Sequence, residues 1–161
     1  MKKKEDKTNV MRILEQKGVS YEMRTYPHGD EAVDGVEVAR LLGQDPEQVY
    51  KTLVARGASG QFYVFDIPVS AELDLKKAAK AVGEKSVAML HVKELLPLTG
   101  YVRGGCSPIG MKKPFFTTFQ EDAQLYDTIA VSAGKIGVQV IVSPMALLEL
   151  TDGQFADVIK C

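Results

Sequence analysis

Three segments carry residue types from which a chemical site could be built. Lys51 stands inside an apolar run, Val49 to Arg56, where an ammonium group is costly unless it is paired or faces a cavity. Thr52 follows it and adds a hydroxyl at the same level. A lysine so placed can bind a carbonyl, ester or phosphate oxygen, although an edge-strand lysine reaching solvent produces the same pattern. The second segment, Gly104-Gly-Cys-Ser-Pro-Ile-Gly110, has adjacent glycines whose main-chain amides can approach a ligand closely. It lacks the Gly-Lys-Ser/Thr ending of a P-loop and the strand–GxGxxG–helix order of a dinucleotide fingerprint. A structural turn competes with the ligand-loop reading. The third segment, Ser132-Ala-Gly-Lys-Ile-Gly137, breaks a strand end into glycines and reads equally as a hairpin connection.

No protein nucleophile and base announce themselves. Cys106 lies in the second segment, but neither histidine, His28 or His91, is placed as its base. Burial is the commoner fate of a lone cysteine. The residue order points to no Ser-His-Asp arrangement. Two cysteines and two histidines without ligand spacing give no disulfide framework and no metal set, so neither metal nor cofactor is expected.

The elements that must position these segments follow from periodicity. Thr8 to Lys17 reads as a helix with Val10, Ile13 and Leu14 on one face, stopped by Gly18, and Val19 to Tyr26 as a strand. Asp34-Gly-Val-Glu37 has capping-box spacing ahead of a helix carrying Val38, Leu41 and Leu42 inward. Val49 to Arg56 and Gln61 to Pro68 form a hairpin about Ala58-Ser-Gly60. Asp74 caps a helix to Val82, with Leu75, Ala78, Ala79 and Val82 as its apolar side. A short strand at Ser86 to Met89 and a helix at Val92 to Leu96 precede the glycine-rich loop. Strands follow at Phe115 to Phe119, Thr128 to Ser132 and Val138 to Val142. Ser143-Pro144 opens a last helix, and Phe155 to Ile159 reads as a closing strand. Strands and helices mix without strict βαβ alternation. That favours a compact mixed sheet or partial barrel over a doubly wound fold.

At 161 residues, 45% hydrophobic and 25% charged, the chain is sized for one globular domain. No apolar run approaches the roughly 18 to 20 residues of a membrane span, and the lysine-rich start is not followed by the apolar stretch of a secretory signal. The cytoplasm is the expected compartment. A net charge of -1 argues against bulk binding to DNA. Lys2 to Lys4, Lys76, Lys77 and Lys80, and Lys112 and Lys113 permit a weak RNA contact without demanding it, and a solvated helix face or tail is the commoner reason for such lysines.

In this order and separation the segments closely resemble the YbaK/EbsC family of free-standing aminoacyl-tRNA deacylases, relatives of the editing insertion of bacterial prolyl-tRNA synthetase. The matching stretches are Val49-Tyr-Lys-Thr-Leu-Val54, Leu73 to Gly83, Thr99-Gly-Tyr101 through Ser107-Pro-Ile-Gly110, and Val131 to Gly137. The resemblance runs from about Thr8 to Ile159. It implies a single compact α/β (α+β mixed) domain with a barrel-like sheet flanked by helices, and hydrolysis of Cys-tRNA(Pro), with prolyl-tRNA synthetase as a docking partner. It also implies catalytic roles for Lys51, Thr52, Gly104 and Gly105, and substrate binding by Tyr26, Ser107, Pro108, Ser132 and Gly134. A cysteinyl ester can be attacked by its own thiol, which fits the lack of a protein nucleophile. Amides near Gly104 and Gly105 would then hold the oxyanion. Two departures from the family pattern, Asp34 and Gln139, leave side-chain specificity open. An alanine-specific deacylase or a non-catalytic binder of the same fold are the alternatives.

Overall fold

The computed structural model describes residues 7–161, so the Lys2 to Lys4 cluster lies outside the described residues. Helix α1 (Asn9–Gln16) starts where Thr8 accepts from the Met11 amide and ends at Lys17. It buries Val10, Met11 and Leu14. Strand β1 (Glu22–Thr25) is shorter than the sequence suggests, and α2 (Gly35–Leu42) follows. Asp34 precedes α2 but makes no side-chain cap bond, and Glu37 pairs with Arg40 one turn on. The expected capping box therefore does not form, because Glu37 has a nearer cation.

Strands β2 (Tyr50–Gly57) and β3 (Phe62–Pro68) make the central hairpin. Helix α3 (Leu75–Val82) is capped by Asp74, which accepts from the amides of Lys76 and Lys77. Leu75, expected inward, is exposed. After β4 (Val87–Met89), helix α4 runs Val92–Thr99, through Pro97, longer than the predicted Val92 to Leu96. Then come β5 (Phe116–Gln120), an unforeseen 3-10 turn at Glu121–Leu125, β6 (Ile129–Ser132) and β7 (Val138–Val142). Helix α5 (Pro144–Thr151) and β8 (Gln154–Ala156) complete the chain.

Two sheets result, ordered β1-β7-β6 and β4-β2-β3-β5-β8. They meet at one parallel bridge, Val49 with Ala130, where the Ala130 amide donates to the Gln48 carbonyl at 2.9 Å. The expected barrel-like sheet is thus two open sheets joined at one bridge. The architecture is nonetheless the expected mixed α/β domain. A principal core gathers α1, Tyr50, Val54, Phe119 and the strands β6 and β7. A second packs Ala55, Phe65 and Ile67 against Ala78 and Ala79 of α3.

Candidate active site

Where the two sheets diverge, the outer edge of β2 opens. The Gly57 amide donates to the Gln61 carbonyl and the Val69 amide to the Val49 carbonyl. Odd-numbered residues of β2 therefore turn their main-chain groups toward β3, and even-numbered ones turn theirs to the other edge. On that other edge, β4 registers only with Ala55 to Gly57, and the Leu90 amide reaches the Val54 carbonyl at 3.1 Å. The bridge to β6 covers Val49. Between these points no hydrogen bond among the described residues joins either neighbour to Thr52, whose N–H and C=O point toward the space left on that edge.

That space is a cleft of about 920 Å³. Its wall includes Tyr26, Lys51, Thr52, Gly104, Cys106, Ser132 and Gln139. Adjacent strand residues project to opposite faces, yet the half-buried Lys51 and Thr52 both line the cleft. They can do so because the cleft straddles the free edge of the strand. Further charges on the wall are Asp30, Glu31 and Asp34 on one side of the balance and Arg103 on the other.

The two glycine segments interlock. Gly104, at φ 85°, lies so close to Ala32 that an added Cβ would fall 2.6 Å from the Ala32 methyl. A Cβ on Gly105 would stand 2.9 Å from Lys135 Cα and 3.0 Å from the Ile136 nitrogen. These are main-chain atoms that no rotamer change can move aside. Gly134, at φ 101°, sits against Val10 and Tyr101, and the Tyr101 hydroxyl donates to the Ile109 carbonyl. The packing of α1 thereby holds the wall formed by Ser132.

Of the sequence-derived residues, Lys51, Thr52, Tyr26, Gly104 and Ser132 share the cleft. Gly105, Ser107 and Pro108 are buried and, like the half-buried Gly134, are not on its wall. The Gly105 amide is spent on the Val102 carbonyl at 2.9 Å, so Gly105 cannot serve the oxyanion as expected from the resemblance. Ser107 is fully buried, and its Oγ accepts from the Ile109 amide at 3.3 Å. The Gly134 amide donates to Ser132 Oγ at 3.1 Å. In the structure Gly105, Ser107 and Gly134 are engaged in closing their own loops. The Cys106 thiol is pushed up to about 12, chiefly by burial and secondarily by the neighbouring Asp66. At neutral pH it is a thiol and a poor nucleophile.

Sequence reading passed over Asp66 and Gln44. Asp66 is fully buried directly behind Thr52, whose Oγ1 lies 2.6 Å from Asp66 Oδ1. The Gln44 side chain donates to Gln139 Oε1, fixing an amide on the cleft wall. An aspartate in an otherwise apolar strand was the available signal for Asp66. Gln44, 95 positions away from Gln139, gave none.

The profile of the aminoacyl-tRNA editing domain matches residues 30–150. The chain belongs to the aminoacyl-tRNA editing domain family. It is 49% identical over 157 residues to EbsC of Enterococcus faecalis, a candidate Cys-tRNA(Pro)/Cys-tRNA(Cys) deacylase, covering 98% of this chain and 96% of that protein. A crystal structure of a candidate trans-editing enzyme for prolyl-tRNA synthetase superposes with a TM-score of 0.82 at 29% identity, covering 94% of this chain and 95% of that one. The hypothetical protein APE2540, with a TM-score of 0.85 at 22% identity over 94% and 99% of the two chains, shares the fold. The editing-domain match spans the Lys51 strand, both glycine segments and the Asp66 position. Among the described residues, no helix is long and apolar enough to cross a membrane.

Proposed function

We propose that this editing-domain protein is a trans-acting deacylase that removes cysteine from Cys-tRNA(Pro), in the cytoplasm and docked to prolyl-tRNA synthetase. The observation that carries this reading is the meeting of Lys51, Thr52, Gly104 and Ser132 on one cleft beside a free strand edge. An aminoacyl ester is already activated, so positioning and charge stabilisation suffice for its cleavage.

In the proposed step the cysteinyl sulfur attacks the ester carbonyl carbon, and negative charge gathers on the carbonyl oxygen. The bond from that carbon to the ribose oxygen then breaks. The proton given up by the thiol ends on the ribose oxygen, and a cyclic thioester leaves, to be hydrolysed by water to cysteine. The Lys51 ammonium draws in the ester or the terminal phosphate. The Gly104 amide and the open edge at Thr52 are the main-chain groups available to the oxyanion. Asp30, Glu31 and Asp34 suit the protonated α-amino group of the aminoacyl end.

Purified protein is incubated with labelled Cys-, Ala- and Pro-tRNA(Pro), and loss of each ester is followed. Cleavage of the cysteinyl ester alone is expected. Loss of the alanyl ester alone would reassign the substrate, and loss of none would make the protein a binder. Ser-tRNA(Pro), whose hydroxyl is a weaker nucleophile than a thiol, should be cleaved far more slowly. Lys51→Ala should lower deacylation by about 100-fold, the scale of a lost transition-state donor, with the circular dichroism spectrum unchanged. Cys106→Ala should change the rate little.

A further inference from the structure

Behind the cleft floor lies a carboxyl group that the mechanism above does not use. Asp66 on β3 is directly opposite Thr52 on β2, on the same face of the sheet, and is fully buried. One carboxyl oxygen, Oδ1, lies 2.6 Å from Thr52 Oγ1. The other, Oδ2, has no hydrogen-bond partner among the described residues. A buried carboxylate with one bare oxygen is an expensive arrangement. Around it stand Tyr50, on β2, and Cys106, from the glycine loop. Neither is a cation, and burial holds both in their protonated forms. Phe119, opposite on β5, brings no charge. Lys51 pairs with Ile67 and projects from the opposite face of the sheet.

We infer that Asp66 is a positioning residue, a buried neutral carboxylic acid that sets the direction of the Thr52 hydroxyl in the cleft floor. This inference rests on the deacylase reading above and assigns it a device. Burial raises the Asp66 carboxyl to about 8, against a lesser lowering by Thr52. A neutral acid can donate from Oδ1 to Thr52 Oγ1 and leave Oδ2 as a bare carbonyl, the less costly orphan. The Thr52 hydroxyl proton is then free to point into the cleft and donate to a substrate oxygen. Once Asp66 ionises it can only accept. The hydroxyl proton turns inward, and Thr52 offers the cleft lone pairs alone. The floor changes from donor to acceptor without movement of a heavy atom.

Deacylation of Cys-tRNA(Pro) is measured for wild type, Thr52→Val, Asp66→Val, the double variant and Asp66→Asn from pH 6 to 9. Each Val variant should lose at least about tenfold in kcat, the scale of one hydrogen bond, with KM little changed. The double variant should lose no more than the worse single one. Asp66→Asn, whose amide still donates to Thr52, should stay within about threefold of wild type at pH 7. It should also lack a component of the pH profile that wild type shows near 8. Asp66→Val removes a buried polar group, so its melting temperature should rise while its rate falls, which a purely structural role would not produce. Additive losses, or an Asp66→Val variant as fast as wild type beside an impaired Thr52→Val, would overturn the inference. Should wild type cleave no ester, the deacylase reading falls on its own. Affinity for a non-hydrolysable cysteinyl-amide analogue of the terminal adenosine, measured on the same five proteins, then applies the same non-additivity test.

Discussion

At the scale of single residues, Asp66, Tyr50 and Cys106 are governed by burial more than by pairing. Asp66 has an elevated affinity for its proton because it is removed from water, with only the Thr52 hydroxyl to offset the loss. The consequence for folding has a definite sign. Between the unfolded value of 3.8 and the folded value of about 8, the folded chain holds a proton that the unfolded chain has released. Stability from this group is therefore complete below about 4 and declines as pH rises toward 8. The decline is up to ~1.4 kcal/mol for each pH unit. Urea titrations at one-unit pH intervals should show wild type losing stability relative to Asp66→Asn across that window, and the two curves should run parallel above it.

Sequence reading reached Lys51 because a charge interrupts an apolar strand, and that signal is local. It overestimated Ser107, Pro108 and Gly105 because a loop string does not say which of its members face inward. The Ser107 hydroxyl closes a turn on Ile109, and the Gly105 amide is already spent on Val102. The role of Asp66 was hidden for a different reason. It depends on the cross-strand register with Thr52 and on what covers both, neither of which is written in the neighbouring residues.

Among the elements, the glycine-rich loop and the β6–β7 turn act as one wall because their main chains are in contact. Gly105→Ala should cost about 1–3 kcal/mol in a urea titration, the scale of overpacking against atoms that cannot repack. Deacylation should fall with it as Lys135 and Ile136 are displaced. Gly60, at the tip of the β2–β3 hairpin, has φ 94° with nothing within 4 Å of an added Cβ. Gly60→Ala should cost about 1–2 kcal/mol from backbone conformation alone and leave the rate unchanged. The helices and strands themselves were largely legible from period and caps, as Asp74 before α3 and Ser143-Pro144 before α5 illustrate. Strand β1 came out shorter than its apolar pattern because pairing with β7 covers only Glu22 to Thr25. Leu75 was misplaced because the apolar side of α3 is satisfied by Ala78 and Ala79.

On the scale of the whole molecule, near-neutral charge sets how the protein meets RNA. Lys76, Lys77 and Lys80 looked available as a basic patch. Lys77, however, reaches across to the chain end, 3.0 Å from Asp157 Oδ2 and 2.8 Å from the Ile159 carbonyl. What remains on the cleft wall is a mixture, with Lys51 and Arg103 against three carboxylates. Binding of uncharged tRNA by the isolated protein should thus engage fewer than about four phosphates. Its log affinity should fall with log salt at a slope shallower than about −3, readable by fluorescence anisotropy. A steeper slope would show an RNA surface beyond this cleft. The division into two open sheets was not readable from the sequence, since a closed and an open arrangement use the same alternation along each strand.

The bare stretch of β2 has an evolutionary consequence. An uncovered strand edge ordinarily invites another chain to add to it, but here it is short and bordered by the walls of the cleft. A donor and an acceptor supplied by the main chain of Thr52 exist whatever side chain occupies that position. Relatives could therefore exchange the residues around the rim, and with them the acyl group they favour, while this inner grip persists unaltered.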